Sequence, residues 1–415
     1  MDLTTLRPAR AAVAAAFFAQ GFVYITLTTR LPRFQKLWDL DEVTLSLLLL
    51  MMVLLAGLGS VVTEPAARRL GSATTLRVGL VLAGVAMPVV VLAPTAGVFV
   101  GALATYGIAL GVIDAASNMQ AVAIEHRYGR PVLPSTHGYW TLGGVLAAAV
   151  ALLTGGLPPG TGAIAAVVPL AVAFAPFLAR VVPDGTTADA AMRPGAAHPA
   201  TDAAPATDAK PATAIATTTD DATGPASAGV PWRPILLVGL GLMVFYTVDT
   251  AATSWGPTYL VRSFDLPLGL VALATFPYLV ATMIARLSGD RLVMRFGVVP
   301  VLRAGAVVAF AALVTVVAAP SWPVAVAGFT ALGAGMAVVA PLSFSAAARI
   351  AGGGRDRVDA VIARFNQFNY AGALVGSVVT GLVGADSLRV GFALPAVLVL
   401  ALLPLARAFA STPRS

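Results

Sequence analysis

The sequence predicts an all-α membrane protein of twelve transmembrane helices, arranged as two pseudo-symmetric six-helix bundles with both termini in the cytoplasm. Three observations predict it. The 415-residue chain is 58% hydrophobic and 11% charged, with mean hydropathy +0.87, whereas a soluble domain carries about 25% charged residues. Apolar stretches of the roughly 20 residues needed to cross a bilayer recur along the chain. One long polar insert divides them evenly. Windows of β-alternation are absent, which argues against a membrane barrel.

The spans are read at 10–30, 43–63, 74–95, 97–124, 135–156, 161–182, 233–258, 267–286, 298–319, 322–348, 360–384 and 387–409. Arginines punctuate alternate connections: Arg7 and Arg10 before the first span, Arg68, Arg69 and Arg77 after the second, and Arg127 and Arg130 after the fourth. Arg286, Arg291, Arg295 and Arg303 surround the turn between spans eight and nine, and Arg349, Arg355 and Arg357 follow the tenth. The other connections are nearly uncharged, so the positive-inside rule puts the arginine-bearing ends and both termini in the cytoplasm. The loop after span one is the exception, where Arg30, Arg33 and Lys36 are accompanied by Asp39, Asp41 and Glu42. The N-terminus lacks a short apolar core followed by a small-residue cleavage site, so the first span is expected to be retained. A multi-pass protein of a bacterial-type plasma (inner) membrane follows, and a monomer is expected.

The net charge of +7 and pI near 10.1 fit arginines beside anionic headgroups. No basic domain or aromatic-basic platform points to nucleic acid. There are no cysteines, hence no disulfide framework and no thiolate metal site. The methionines (Met51, Met52, Met87, Met119, Met243, Met283, Met294, Met336) are scattered and read as core filler. No phosphate-cradling loop, zinc-protease helix or nucleophile elbow is present, so neither ATP-driven transport nor a membrane hydrolase is expected. No enzyme activity, cofactor or metal is expected.

Residues 183–232 break the apolar pattern. They are rich in Ala, Thr, Pro and Asp, and they read as a disordered cytoplasmic linker, with modification at Thr217–Thr219 as the functional alternative. The linker leaves two domains, 1–182 and 233–415, of six spans each. The halves echo one another. Gly71 follows Arg68-Arg69-Leu70 as Gly297 follows Arg295-Phe296, and Pro32 matches Pro257. Trp140-Thr141-Leu142-Gly143 matches Asn369-Tyr370-Ala371-Gly372. Six-helix halves around a midplane site are a recurring transporter plan.

Two aspartates, Asp114 and Asp249, lie deep inside apolar spans. A charge there costs about 2.5–3.5 kcal/mol on the insertion scale and normally faces a protein interior or a wet cavity. Burial without a partner moves a carboxyl towards neutrality, which a proton carrier requires. A structural salt bridge is the alternative, with Arg30 or Arg364 as the charged candidates. Polar stripes accompany the acids. Asn118 is one turn from Asp114, and Tyr246 and Thr253 flank Asp249 at helical spacing. Gln20, Tyr24 and Thr28 line up on span one, His137, Trp140 and Thr141 on span five, and Asn366, Asn369 and Tyr370 on span eleven. Such stripes cannot all face lipid. They either bind a small polar solute in a central cavity or join helices by hydrogen bonds of about 0.6 kcal/mol each. His137 also offers a pH switch.

The segment Arg286-Leu-Ser-Gly-Asp290-Arg291-Leu-Val-Met-Arg295-Phe-Gly297 resembles the cytoplasmic loop motif of the major facilitator superfamily. In that motif, acidic and basic residues form an interlocking gate. The loop after span two, Glu64-Pro-Ala-Ala-Arg68-Arg69-Leu-Gly71, lacks the corresponding Asp before its first Arg. A narrower resemblance is carried by Gly111-Val-Ile-Asp114-Ala-Ala-Ser-Asn118-Met-Gln120, by Glu125-His-Arg127-Tyr-Gly129-Arg130-Pro131 and by His137-Gly-Tyr-Trp140-Thr-Leu-Gly143-Gly144. With Phe17-Phe18 through Gly21, Arg30-Leu-Pro32 and Trp255, these segments look like the rhizopine-associated, fucose-permease-related branch. That branch has Glu followed by Gly where this chain has Asp249 and Thr250.

The resemblance implies the major facilitator fold and a gate built from Asp290, Arg291, Arg295, Arg68, Arg69 and Glu125. Asp290 is expected to latch onto the start of span five at Ser135-Thr136. It also implies a proton-coupled secondary transporter of a sugar-, polyol- or cyclitol-like solute, with Asp249 and Asp114 as proton sites. Proton-antiport export of a drug or metabolite is a second reading, although span five lacks the internal proline of drug antiporters. A non-transporting receptor or scaffold with the same fold is a third.

Overall fold

The computed structural model describes residues 3–128, 133–178, 231–352, 361, 365 and 367–410. Among them every regular element is helical. The first half holds α1 (Leu3–Thr28), the short α2 (Leu31–Trp38), α3 (Glu42–Leu70), α4 (Ser72–Leu92), α5 (Ala96–Tyr128) and α6 (Leu133–Leu153). A 3-10 stretch, Pro159–Ala166, then leads into α7 (Val167–Ala173). The second half holds α8 (Trp232–Phe264), α9 (Phe276–Phe296), α10 (Val298–Ala318), α11 (Trp322–Met336) and α12 (Val339–Ala351). It continues with α13 (Gln367–Leu374), a π-turn at Val375–Val379, α14 (Thr380–Val383), α15 (Leu388–Val399) and α16 (Leu402–Leu405).

Ten helical stretches among the described residues are long and apolar enough to cross a membrane, and Gly160–Ala173 is a shorter apolar one. Several expected spans are interrupted, each for a local reason. Span six is a 3-10 stretch and a short helix, because Pro158, Pro159 and Gly160 crowd its start. The helix stops at Ala173, shortly before Pro176, and a residue preceding proline disfavours the helical conformation. Span ten breaks between Met336 and Val339. Pro341 has no N–H to give the carbonyl of Ala337, the partner four residues back. Span eleven passes through the π-turn, and span twelve is divided before Pro404. The 183–232 linker lies outside the described residues through residue 230.

The internal repeat is physical. Gly71 and Gly297 both adopt positive φ, 86° and 82°, and each ends one long helix and opens the next, a conformation suited to glycine. Gly143 of α6 lies against the Phe18 carbonyl of α1, and Gly372 of α13 lies against the Met243 carbonyl of α8. A Cβ would come within 2.1 Å and 2.4 Å of those oxygens. Gly107 of α5 approaches the Met52 carbonyl of α3 as Gly333 of α11 approaches the Tyr278 carbonyl of α9. Counting along the helices from these pairs makes Tyr24 the equivalent of Asp249, Ser60 of Arg286, Asp114 of Ala340 and Thr141 of Tyr370.

Burial identifies the central helices. The spans of α1 and α8 are 78% and 67% buried, against 33% for those of α3 and α10. The outer helices expose large apolar side chains such as Leu54, Leu58, Val61, Val307 and Val308, the surface a bilayer covers. The links after α1, α4 and α6 gather at one end, where Arg30 packs over Gly162 and Gly160 faces Leu92, and those after α8, α10 and α14 where Arg389 meets Phe264 and Val317. The described chain ends lie at the other, where Leu6 shares a core with Leu178 and Arg349 meets Phe409.

Both halves fall in one compact unit. They touch at the end opposite the chain termini. Arg262 pairs with Glu42 at 3.0 Å, and Arg33 donates to the Gly155 carbonyl at 2.7 Å. Gly155 also meets Gly269 backbone to backbone. Asp41 caps α3 by accepting from the Thr44 amide at 2.8 Å, which holds Glu42 in the first turn.

Candidate functional site

The polar residues of the middle of the molecule fall into two clusters joined across the halves. Asp114, half-buried on α5, accepts from Tyr370 Oη of α13 at 2.7 Å and from Gln20 Nε2 of α1 at 3.3 Å. Ser60 of α3 lies near the same tyrosine hydroxyl. Asp249, half-buried on α8, accepts from Tyr278 Oη of α9 at 2.5 Å. Both carboxylates are thus held by neutral donors. Of the ion pairs weighed from the sequence, the one with Arg30 is not formed among the described residues: Arg30 donates to the Thr26 carbonyl of its own helix at 3.1 Å and packs over Gly162. Arg364 lies outside the described residues.

Among the described residues, the cation within electrostatic reach of Asp249 is Arg286. Its sequence neighbours place it at the edge of the basic loop, but the structure puts it on the inner face of α9, half-buried. Nη1 donates to Thr141 Oγ1 of α6 at 2.8 Å, across the halves. Nε donates to the Ala337 carbonyl at 3.0 Å, the group left without a helical partner by Pro341. The helical ladder resumes at the next residue, where Leu342 N–H donates to Val338 O. The guanidinium carbon sits 6.0 Å from the Phe245 ring centroid, within cation–π range. Asp249 lies within electrostatic reach of it, and both Asp114 and Arg286 are within such reach of His137 and Tyr246. Under the internal repeat, Thr141 with Arg286 is the counterpart of Tyr370 with Ser60. The two cross-links are therefore pseudo-symmetric, with a cation in one and a hydroxyl in the other.

A third cross-link is Tyr24 of α1, whose hydroxyl lies 3.4 Å from Ser254 Oγ of α8 and whose ring is 6.0 Å from Trp140. His137 sits between Phe17 of α1, at 4.9 Å, and Phe344 of α12, at 6.5 Å. Gln20, Tyr24, His137, Trp140, Thr141, Tyr246 and Tyr370 therefore converge with the two aspartates.

Other candidates turn to their own helices. Asn118 Nδ2 donates to the Asp114 carbonyl at 2.9 Å. Thr253 Oγ1 donates to that of Asp249 at 2.8 Å, and Thr28 Oγ1 to that of Ile25 at 3.4 Å. Asn369 is half-buried on α13, and Asn366 lies outside the described residues. Of the expected gate, Arg291, Arg295 and Arg69 are exposed, and Arg68 pairs with Glu64 one turn back on its own helix. The side chains of Asp290 and Glu125 lie outside the described ones, as does that of Ser135.

Sequence reasoning missed Tyr278, Arg286, Ser254 and Ser60. A signal for the first two was present. Tyr278, Thr282 and Arg286 follow each other at spacing four, the same polar stripe that marked span one.

A many-helix apolar chain with a charged, hydrogen-bonded centre shared by two repeats has the plan of a secondary transporter. No family model matches the chain. An uncharacterised MFS-type transporter of Yersinia pestis is 26% identical over 403 residues, covering 95% of this chain and 94% of that protein. The membrane protein MosC of Rhizobium meliloti is 24% identical, covering 92% and 85%. Among solved structures, the nucleoside transporter NupG superposes with TM-score 0.65 at 12% identity over 97% of this chain and 100% of that one. The major facilitator transporter FucP, in its outward conformation, superposes with TM-score 0.60 at 17% identity over 97% and 99%. Over nearly its whole length the chain is thus similar to transporters of the major facilitator superfamily, whose fold it shares.

Proposed function

We propose that the protein is a proton-coupled secondary transporter. It would move a small polar organic solute of sugar, polyol or cyclitol type across a bacterial inner membrane by alternating access. In this reading twelve crossings form two bundles, 1–182 and 233–415, with both termini cytoplasmic and the Glu42–Arg262 end outside. One observation carries it: Asp114 of one half is held by Tyr370 of the other. Alternating access requires the halves to part around a midplane site. A hydrogen bond to an ionised carboxylate is roughly twice as strong as one between neutral groups. A proton arriving on Asp114 weakens the link and releases the halves, and loss of that proton restores it. Asp249, held within its own half by Tyr278, is the second proton site. Aromatic faces at Tyr24, Trp140, His137 and Tyr246 beside amide and hydroxyl groups suit stacking and hydrogen bonding to a ring-shaped polar solute. A fucose:proton symporter is among the proteins sharing the fold, which supports the same solute class and coupling.

The test is uptake into proteoliposomes under an imposed pH gradient, with labelled sugars, polyols and cyclitols. Asp114→Asn and Asp249→Asn should abolish gradient-driven accumulation while solute exchange survives. Unchanged accumulation in both variants would reject proton coupling. Counterflow under opposite gradients separates uptake from antiport export.

A further inference from the structure

The geometry points to Arg286 as the solute anchor of the central site, selecting a solute that carries a carboxylate. The inference rests on the transporter reading above and narrows its solute class to acidic members.

Four observations lead to it. First, Arg286 is oriented before any solute arrives: the Ala337 carbonyl freed by Pro341 holds Nε, and the Phe245 ring lies beside the guanidinium. Second, only two of the five N–H donors of an arginine are engaged among the described residues, one at Ala337 O and one at Thr141 Oγ1. Both hydrogens of Nη2 and one of Nη1 remain, and these form the fork that matches a carboxylate in two parallel bonds. Third, Arg286 has no ion pair among the described residues, although charges inside a membrane protein normally pair with one another. Asp249 and Asp114 are occupied by Tyr278, Tyr370 and Gln20 instead. Fourth, the guanidinium is within electrostatic reach of Asp249 and of His137, where a solute hydroxyl could reach Asp249 while its carboxylate meets the arginine.

The charge balance agrees. A solute carboxylate supplies a counter-ion that Arg286 lacks among the described residues. The proton carried with it resides on one of the two aspartates, so solute and proton together move no net charge. The repeat explains the asymmetry: Ser60 stands at the equivalent position of the first half and supplies no cation there.

The experiment measures binding to detergent-purified protein by calorimetry, using matched probes: glucose and glucuronate, inositol and quinate, benzyl alcohol and benzoate. In at least one pair the wild type should bind the acid tenfold or more tightly than its neutral partner. Arg286→Gln, which can still donate to Ala337 O, should erase that preference. Arg286→Lys, which keeps the charge, should retain it with weaker binding. No acid preference in any pair of the wild type overturns the assignment, as does a preference that persists in Arg286→Gln. Because the wild-type comparison stands alone, poor folding of a variant does not rescue the idea. Flux in proteoliposomes is measured separately: acid-selective binding without flux sinks the transport reading and leaves the anchor, whereas flux of neutral solutes with no acid preference does the reverse.

Discussion

Tyr370 donates its hydroxyl to Asp114 at 2.7 Å, from α13 of the second half to α5 of the first. The carboxylate sits in an apolar helix, and its other protein donor is Gln20 of its own half. Asp114 is thus the acid that ties the halves together, whereas Asp249 is bonded within one half. A hydrogen bond to a charged group contributes about 1.5–3 kcal/mol net. Tyr370→Phe is therefore expected to lower the population of the joined arrangement by about tenfold to a hundredfold, since 1.4 kcal/mol is a factor of ten. Hydrogen exchange checks it: amides of α5 and α13 should exchange faster in the variant. Identical protection would remove the tyrosine from the coupling.

The Asp249 site makes a different prediction. Tyr278 is fully buried, and its hydroxyl donates to that carboxylate at 2.5 Å. Tyr278→Phe leaves a half-buried carboxylate without that donor, at a cost of about 1–3 kcal/mol. Pairing it with Asp249→Asn in a double-mutant cycle should give strong coupling in thermal stability. Additive losses would show that the bond is not worth its distance.

The end opposite the termini offers a third. Glu42 is almost fully buried at the start of α3, but its partner Arg262 is half exposed, so the pair is discounted towards the surface range of about 0.2–1 kcal/mol. Glu42→Gln should raise opening of that end by about 1.4- to 5-fold. The chain has no cysteine, so a single Cys at buried Ser46, beside Gly381, reports the opening through its rate of maleimide labelling. An unchanged rate would count against a closing role for the pair.

How much of this was legible in the sequence depends on what each residue contrasts with. Asp114 and Asp249 stood out because a charge in an apolar run is costly and needs a partner or a wet cavity. The pairing of Trp140–Gly143 with Asn369–Gly372 was legible because close helix contact demands glycine at equivalent places, Gly143 on Phe18 and Gly372 on Met243. Arg286 was hidden by its neighbours. It precedes Arg291 and Arg295, so its charge merged with a loop's, and only spacing from Tyr278 and Thr282 turns it inward. Its hold on Ala337 depends on Pro341, in a helix far along the chain. No local pattern joins a proline in α12 to an arginine in α9.

The cap of α3 carries a pH prediction. The Thr44 side chain and backbone hold the exposed Asp41 carboxyl below the ordinary aspartate range. A carboxyl whose folded value is depressed contributes stability above its unfolded value, near 3.9, and loses it as pH falls through the folded value. The Thr44 amide should therefore stay protected down past the ordinary aspartate titration and become exposed only in stronger acid. Asp41→Asn should retain the cap, since asparagine caps as well as aspartate, without the acid transition. Loss of protection at the ordinary aspartate value would reject the cap as drawn.

The last prediction concerns the helix pairs that build the site. Gly143 and Gly372 occupy equivalent places, and a Cβ at either would fall within 2.1 Å or 2.4 Å of a backbone oxygen. Backbone cannot yield as a side chain end can, so Gly143→Ala and Gly372→Ala must push α6 from α1 and α13 from α8. Overpacking typically costs about 1–3 kcal/mol. The displacement would also move Thr141 away from Arg286 and Tyr370 away from Asp114, two residues along the same helices. Each variant should therefore lower the melting temperature and loosen both cross-links together. Gly138→Ala, on the same α6 but with open space around its Cβ, is the control and should be neutral in the fold. If Gly143→Ala and Gly138→Ala melt alike, the close approach is not what positions the centre.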